Sequence, residues 1–166
     1  MLKKFILNTA VLFCIPFLFT ACSGNKQQIN TPPLEISFDK ATASDVEKTL
    51  NKKADSKENN KESGISADNY EDYNFAGYDG KISFYYKDKE LLYYKWIFTE
   101  QDKDKAKEVY SDVCNNLENS YGKGTENNNA SSNLFTTTYD TDEQQVVAQK
   151  MSNGNGFEIS FMVVGK

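Results

Sequence analysis

Any chemistry in this chain falls to carboxylates, lysines, tyrosines or cysteine, because its 166 residues include no histidine and no arginine. Histidine is the commonest general base and metal ligand, and arginine supplies the planar fork that reads phosphate and carboxylate. Cys114 needs a neighbouring base or positive field to become a nucleophile. It stands four residues after Tyr110 and three before Leu117, a helical spacing that reads as a buried structural thiol. Asp140-Thr141-Asp142-Glu143 opens like a calcium loop, which requires Gly at its sixth place and Glu at its twelfth. Those places hold Gln145 and Met151, so a solvated turn is the better reading. Paired carboxylates can cleave glycosidic bonds without histidine, and Asp72, Asp79 and Glu158 lie on or beside strand-like segments. Nothing in their spacing sets two of them apart. The chain reads as non-enzymatic, with no catalytic residue, metal or cofactor expected. Its net charge of −5 argues against nucleic acid as a partner, since phosphate contacts need a basic surface.

The densest recognition chemistry is aromatic. Leu91–Phe98 reads Leu-Leu-Tyr-Tyr-Lys-Trp-Ile-Phe, and strand alternation sends Leu92, Tyr94, Trp96 and Phe98 to one side and Leu91, Tyr93, Lys95 and Ile97 to the other. On the preceding segment, Ile82, Phe84 and Tyr86 oppose Ser83 and Tyr85. Helices cover one face of a two-layer domain, so the fuller apolar set is inward and Tyr85, Leu91, Tyr93, Lys95 and Ile97 face outward. Tyr85, Tyr93 and Lys95 form the candidate partner-binding face, because tyrosines combine a large rigid surface with a polar tip. The same side chains could equally do no more than pair across the sheet.

These residues need elements to hold them. Leu34, Ile36 and Phe38 alternate as a short strand or an ordered approach to a first helix. Ser44-Asp45-Val46-Glu47 has capping-box spacing, and the helix runs to about Lys53. Residues 54–69 are almost wholly polar and read as a mobile loop. Tyr73 and Phe75 lead to Asp79-Gly80, a hairpin signal because both residue types tolerate positive φ. The strands with Ile82–Tyr86 and Leu91–Phe98 complete a three-strand meander. Thr99 to Asp102 repeats the cap chemistry, and a second helix follows with an apolar stripe through Ala106, Val109, Tyr110, Val113, Leu117 and Tyr121, stopped at Gly122. Residues 127–133 read as a polar loop, followed by strands at Leu134–Tyr139, Gln144–Met151 and Phe157–Val164. The expected fold is α+β, with two helices packed on one face of an antiparallel sheet and an αβββ unit repeated.

The first residues carry an address. Met-Leu-Lys-Lys, an apolar run from Phe5 to Phe19 and Thr20-Ala21-Cys22 make a secretory signal peptide; about 20 apolar residues are needed to span a bilayer, and Asn8 and Pro16 interrupt this run. Phe19-Thr20-Ala21-Cys22 resembles the lipobox of bacterial lipoprotein precursors, with Phe where the family usually has Leu. The resemblance implies a diacylglycerol thioether on Cys22, palmitate-type acylation, and cleavage between Ala21 and Cys22. Losing Lys3 and Lys4 would move the net charge from −5 to −7, so the lipid rather than a basic patch would hold the membrane.

The division is therefore a signal peptide at 1–21, lipidated Cys22 and tether at 22–33, and one α+β domain at 34–166. The layout loosely resembles β-lactamase-inhibitory-protein-like folds, including small envelope lipoproteins. That likeness implies a sheet face offered to a protein partner. The expectation is a bacterial cell-envelope lipoprotein, displayed on the extracytoplasmic side of the cell membrane as an interaction module. The alternative is a carboxylate-based cell-wall hydrolase.

Overall fold

A computed structural model describes residues 36–129 and 133–166. The signal-peptide, Cys22 and tether readings lie outside the described residues. The elements run α1 (Ala43–Leu50), β1 (Ser56–Asn60), β2 (Ile65–Phe75), β3 (Tyr78–Lys87), β4 (Glu90–Glu100), α2 (Lys103–Tyr121), β5 (Thr125–Asn129), β6 (Leu134–Asp140), β7 (Gln144–Ser152) and β8 (Phe157–Gly165). The fold is α+β. All eight strands join one antiparallel sheet in the order β1-β2-β3-β4-β8-β7-β6-β5. Each helix thus precedes a four-strand meander, and the final strands of the two meanders pair at the centre.

Four strands per meander, rather than three, is a correction to the sequence reading. Residues 56–60 and 65–69, expected in a mobile loop, are β1 and the start of β2, and β5 occupies much of the second expected loop. Both short strands lie at sheet edges and are exposed at every residue. With neither face buried, they carry no apolar alternation to read, and their Lys, Glu and Asn side chains are the kind that blunt a sheet edge.

Two finer corrections follow from backbone geometry. The β2–β3 turn is Ala76-Gly77, both at positive φ (53° and 90°), as a two-residue hairpin loop requires. Asp79-Gly80 lies inside β3 instead. A register shift in the β3–β4 ladder pairs Tyr85 with Tyr93 but Tyr86 with Leu91, so Leu92 is the extra residue of a bulge. Leu91 therefore turns inward and is buried, while Leu92 is exposed, the reverse of simple alternation.

The inner face is built on aromatic pairs. Trp96 pairs in register with Ile82 and Phe161, and its ring stacks on Phe161 at 5.6 Å with Phe75 4.6 Å from the same Phe161 ring. The indole N–H donates to the Tyr73 carbonyl at 3.1 Å, which satisfies the one polar atom this large side chain buries. α2 contacts β4, β6, β7 and β8 and buries Ala106, Val109, Val113 and Leu117 completely. Burying each valine or leucine of this set contributes roughly 1.5–3 kcal/mol. Its start is capped by Asp102, whose carboxylate accepts from the Asp104 and Lys105 amides at 2.9 Å, and its end is at Gly122.

α1 starts two residues earlier than the spacing suggested. Thr42 is its N-cap, with its amide and hydroxyl donating to Asp45 at 3.0 and 2.7 Å. The helix ends at Leu50, where Asn51 adopts the left-handed conformation. Ile36 to Ala41 form no strand; this is the ordered approach, tied by the Leu91 amide donating to the Ala41 carbonyl at 2.8 Å.

Candidate binding face

Residues Tyr85, Tyr93 and Lys95 are brought together as the alternation requires. Tyr85 and Tyr93 are direct cross-strand partners, with ring centroids 4.4 Å apart and planes within 19°. Lys95 is the next outward residue of β4, opposite Ser83. All three are half-buried. Burial and the neighbouring Tyr85 push the Tyr93 phenol up from its ordinary pKa. Lys95 is not a free cation, because its ammonium lies 2.9 Å from Glu158 Oε1.

The face is wider than the sequence indicated. The register continues from Tyr93 to Val164 on β8, and from Lys95 to Met162 on β8 and Val147 on β7. These half-buried apolar side chains extend a surface that begins at the tyrosine pair. The run Phe161-Met162-Val163-Val164 hid them, since continuous apolar sequence does not announce which residues face which side. Beside the tyrosines, Ser83 donates to Asn69 Oδ1 at 2.6 Å, and Asn69 donates to Glu58 Oε1 at 2.9 Å and Ser56 Oγ at 3.2 Å. This polar chain, buried at Ser83 and Asn69 and exposed at Ser56 and Glu58, ties edge strand β1 to the sheet. An open cavity of about 340 Å³ lies between that edge and the aromatic pair, lined by Glu58, Asn60, Ala67, Tyr85 and Tyr93.

The remaining candidates are dispersed. Asp72 and Asp79 line another open cavity of about 360 Å³ with Glu71 and Lys81, and Asp79 accepts from Asn74 Nδ2 at 2.9 Å. Glu158 is held by Lys95. The segment Asp140–Glu143 forms the β6–β7 turn, closed by the Thr141 amide on the Gln144 carbonyl at 2.9 Å. The Lys166 ammonium, then Gln145, hold the Asp140 carboxyl below its usual range. Among the described residues, no group of three acidic, cysteine or histidine side chains could hold a metal ion. Cys114 is half-buried rather than sealed, with Sγ 3.8 Å from Thr137 Oγ1. A further open cavity of about 530 Å³ lies on the helix side between the start of α1 and Lys57, Asp68 and Tyr86.

Searched against protein-family models, curated proteins and solved structures, the chain matches none. Among the described residues, no helix is long and apolar enough to cross a membrane.

Proposed function

We propose that this chain is a cell-envelope lipoprotein, held by lipid on Cys22 at the extracytoplasmic side of the membrane, and that its outer sheet face binds a protein partner without catalysis. The anchor reading is supported by the Lys-Lys, apolar run and Phe19-Thr20-Ala21-Cys22 order of the first 22 residues. The binding reading rests on one observation: the Tyr85–Tyr93 stack stands beside half-buried Met162, Val164 and Val147 on the face opposite Trp96 and α2. We also read the two helix-plus-four-strand units as copies of one ancestral unit, with both helices on the inner face. The palindromic strand order supports this.

The test is crosslinking on intact cells to identify the partner, followed by its affinity for Tyr93→Ala beside the variant's melting temperature. A binding face predicts a loss of about 2 kcal/mol in affinity, as for a central aromatic anchor. Unchanged affinity with a lowered melting temperature would mean the pair only stabilises the sheet.

A second reading has its own observation, that Asp72 and Asp79 line one cavity. Both are exposed, without the enclosure that lets one carboxyl of a hydrolytic pair keep its proton. Release of soluble sugars from cell-wall material, abolished by Asp79→Asn, would favour it.

A further inference from the structure

The opposite side of the molecule carries an unusual cation. Lys150 continues the inward series Val146 and Ala148 on β7 and is, among the described residues, the one buried lysine, at 3% exposure. It pairs in register with Phe135 and Ile159. Its ammonium lies 4.0 Å from the Phe135 ring centroid and 5.4 Å from that of Phe157. None of the ion pairs among the described residues gives it a carboxylate. Cation–π contacts soften the loss of hydration but do not replace a counter-ion.

The lysines of α2 make matters worse. Burial, then Lys107 and Lys103 of α2, disfavour its protonated form. The acids of the same helical turn are turned elsewhere: Asp102 accepts the Asp104 and Lys105 amides at 2.9 Å, and Asp104 pairs with Lys107 at 3.0 Å while remaining largely exposed. The start of α2 adds the positive end of a 19-residue helix. Phe135 is the second residue of β6, Lys150 the third from the end of β7, and Phe157 the first of β8. The amine therefore sits at the end of the sheet, beneath the first turns of the helix, in a molecule whose net charge is otherwise negative.

We propose that Lys150, with Lys103 and Lys107 above it, forms a binding site for a phosphate group, which supplies the counter-ion that the fold withholds. Ammonium groups bind phosphate as point charges, and a helix start favours the same anion. The phenyl rings exclude water around the pair, which strengthens the attraction. The phosphate could be free or esterified, and the site is independent of the tyrosine face.

The test uses the full chain in detergent, melted in a phosphate-free buffer at constant ionic strength. Inorganic phosphate, glycerol phosphate and sodium chloride are titrated separately. Phosphate is expected to raise the melting temperature well beyond matched chloride. A tighter response to glycerol phosphate than to inorganic phosphate assigns the ester, and the reverse assigns the free ion. Lys150→Met is expected to melt no lower than the parent without phosphate and to lose at least tenfold in apparent phosphate affinity. A second variant, Lys103→Gln with Lys107→Gln, changes only exposed side chains and is expected to weaken phosphate binding severalfold without unfolding. A phosphate response no larger than that to chloride, or one kept in full by both variants, overturns the proposal.

Discussion

Gly80 of β3 lies against Trp96 of β4 so closely that a Cβ on the glycine would fall 2.6 Å from the indole Nε1 and 2.5 Å from the Ile97 carbonyl oxygen. The glycine is needed for that approach and not for a turn, since its φ is not positive. Trp96 is completely buried at the centre of the inner face, so the indole has no space into which to retreat. Gly80→Ala is expected to lower unfolding free energy by about 1–3 kcal/mol, the scale of forced overpacking. Urea denaturation checks this, and an unchanged midpoint would show that the indole can shift.

Alkaline pH should unfold the domain. Tyr70 and Tyr73 are buried with hydroxyls that have no hydrogen-bond partner among the described residues, and burial, as the largest cause for each, pushes both up to about 12. The unfolded chain releases these protons near the ordinary value of 10, while the folded chain keeps them. Their contribution is thus full below that pH and falls by roughly 1.4 kcal/mol per pH unit per tyrosine as pH rises toward the folded value. Denaturation midpoints measured alongside phenolate absorbance should fall steeply across this window. A flat profile would contradict the burial of both rings.

The thiol should be slow but not inert. Cys114 packs against the core on the α2 flank that faces Thr137, and its carbonyl accepts from Tyr139 Oη at 3.0 Å. A thiol reagent should label the native protein more slowly than the denatured one, and Cys114→Ala should cost about 1 kcal/mol without affecting partner binding. Equal rates in the two states would place the thiol at the surface.

The anchor has its own test. Cys22→Ala should abolish incorporation of labelled fatty acid and release the protein from the membrane fraction. Continued labelling of that variant would end the lipoprotein reading.

Much of this architecture was legible because it is local. The 3–4 spacing from Ala106 to Leu117, with the cap-forming stretch Thr99 to Asp102 before it and Gly122 after it, defines α2, since helical period and capping involve only near neighbours. Alternation likewise set Tyr85, Tyr93 and Lys95 on one side and Phe84, Tyr94 and Trp96 on the other. The edge strands β1 and β5 left no such trace, because a strand with both faces in water has no buried set to alternate.

What the sequence by itself determined, then, is which residues share a helix face or a strand face, because backbone geometry imposes those periods within a few residues. Tertiary structure alone decided the rest. The bulge that sends Leu91 inward and Leu92 outward arises from how β3 and β4 pair. Lys150 is buried because β6, β8 and α2 close around the end of β7. The wide outer face exists because β4 pairs with β8 at a long sequence separation, 63 positions from Lys95 to Glu158. Register and enclosure depend on contacts between distant segments, and no local spacing encodes them.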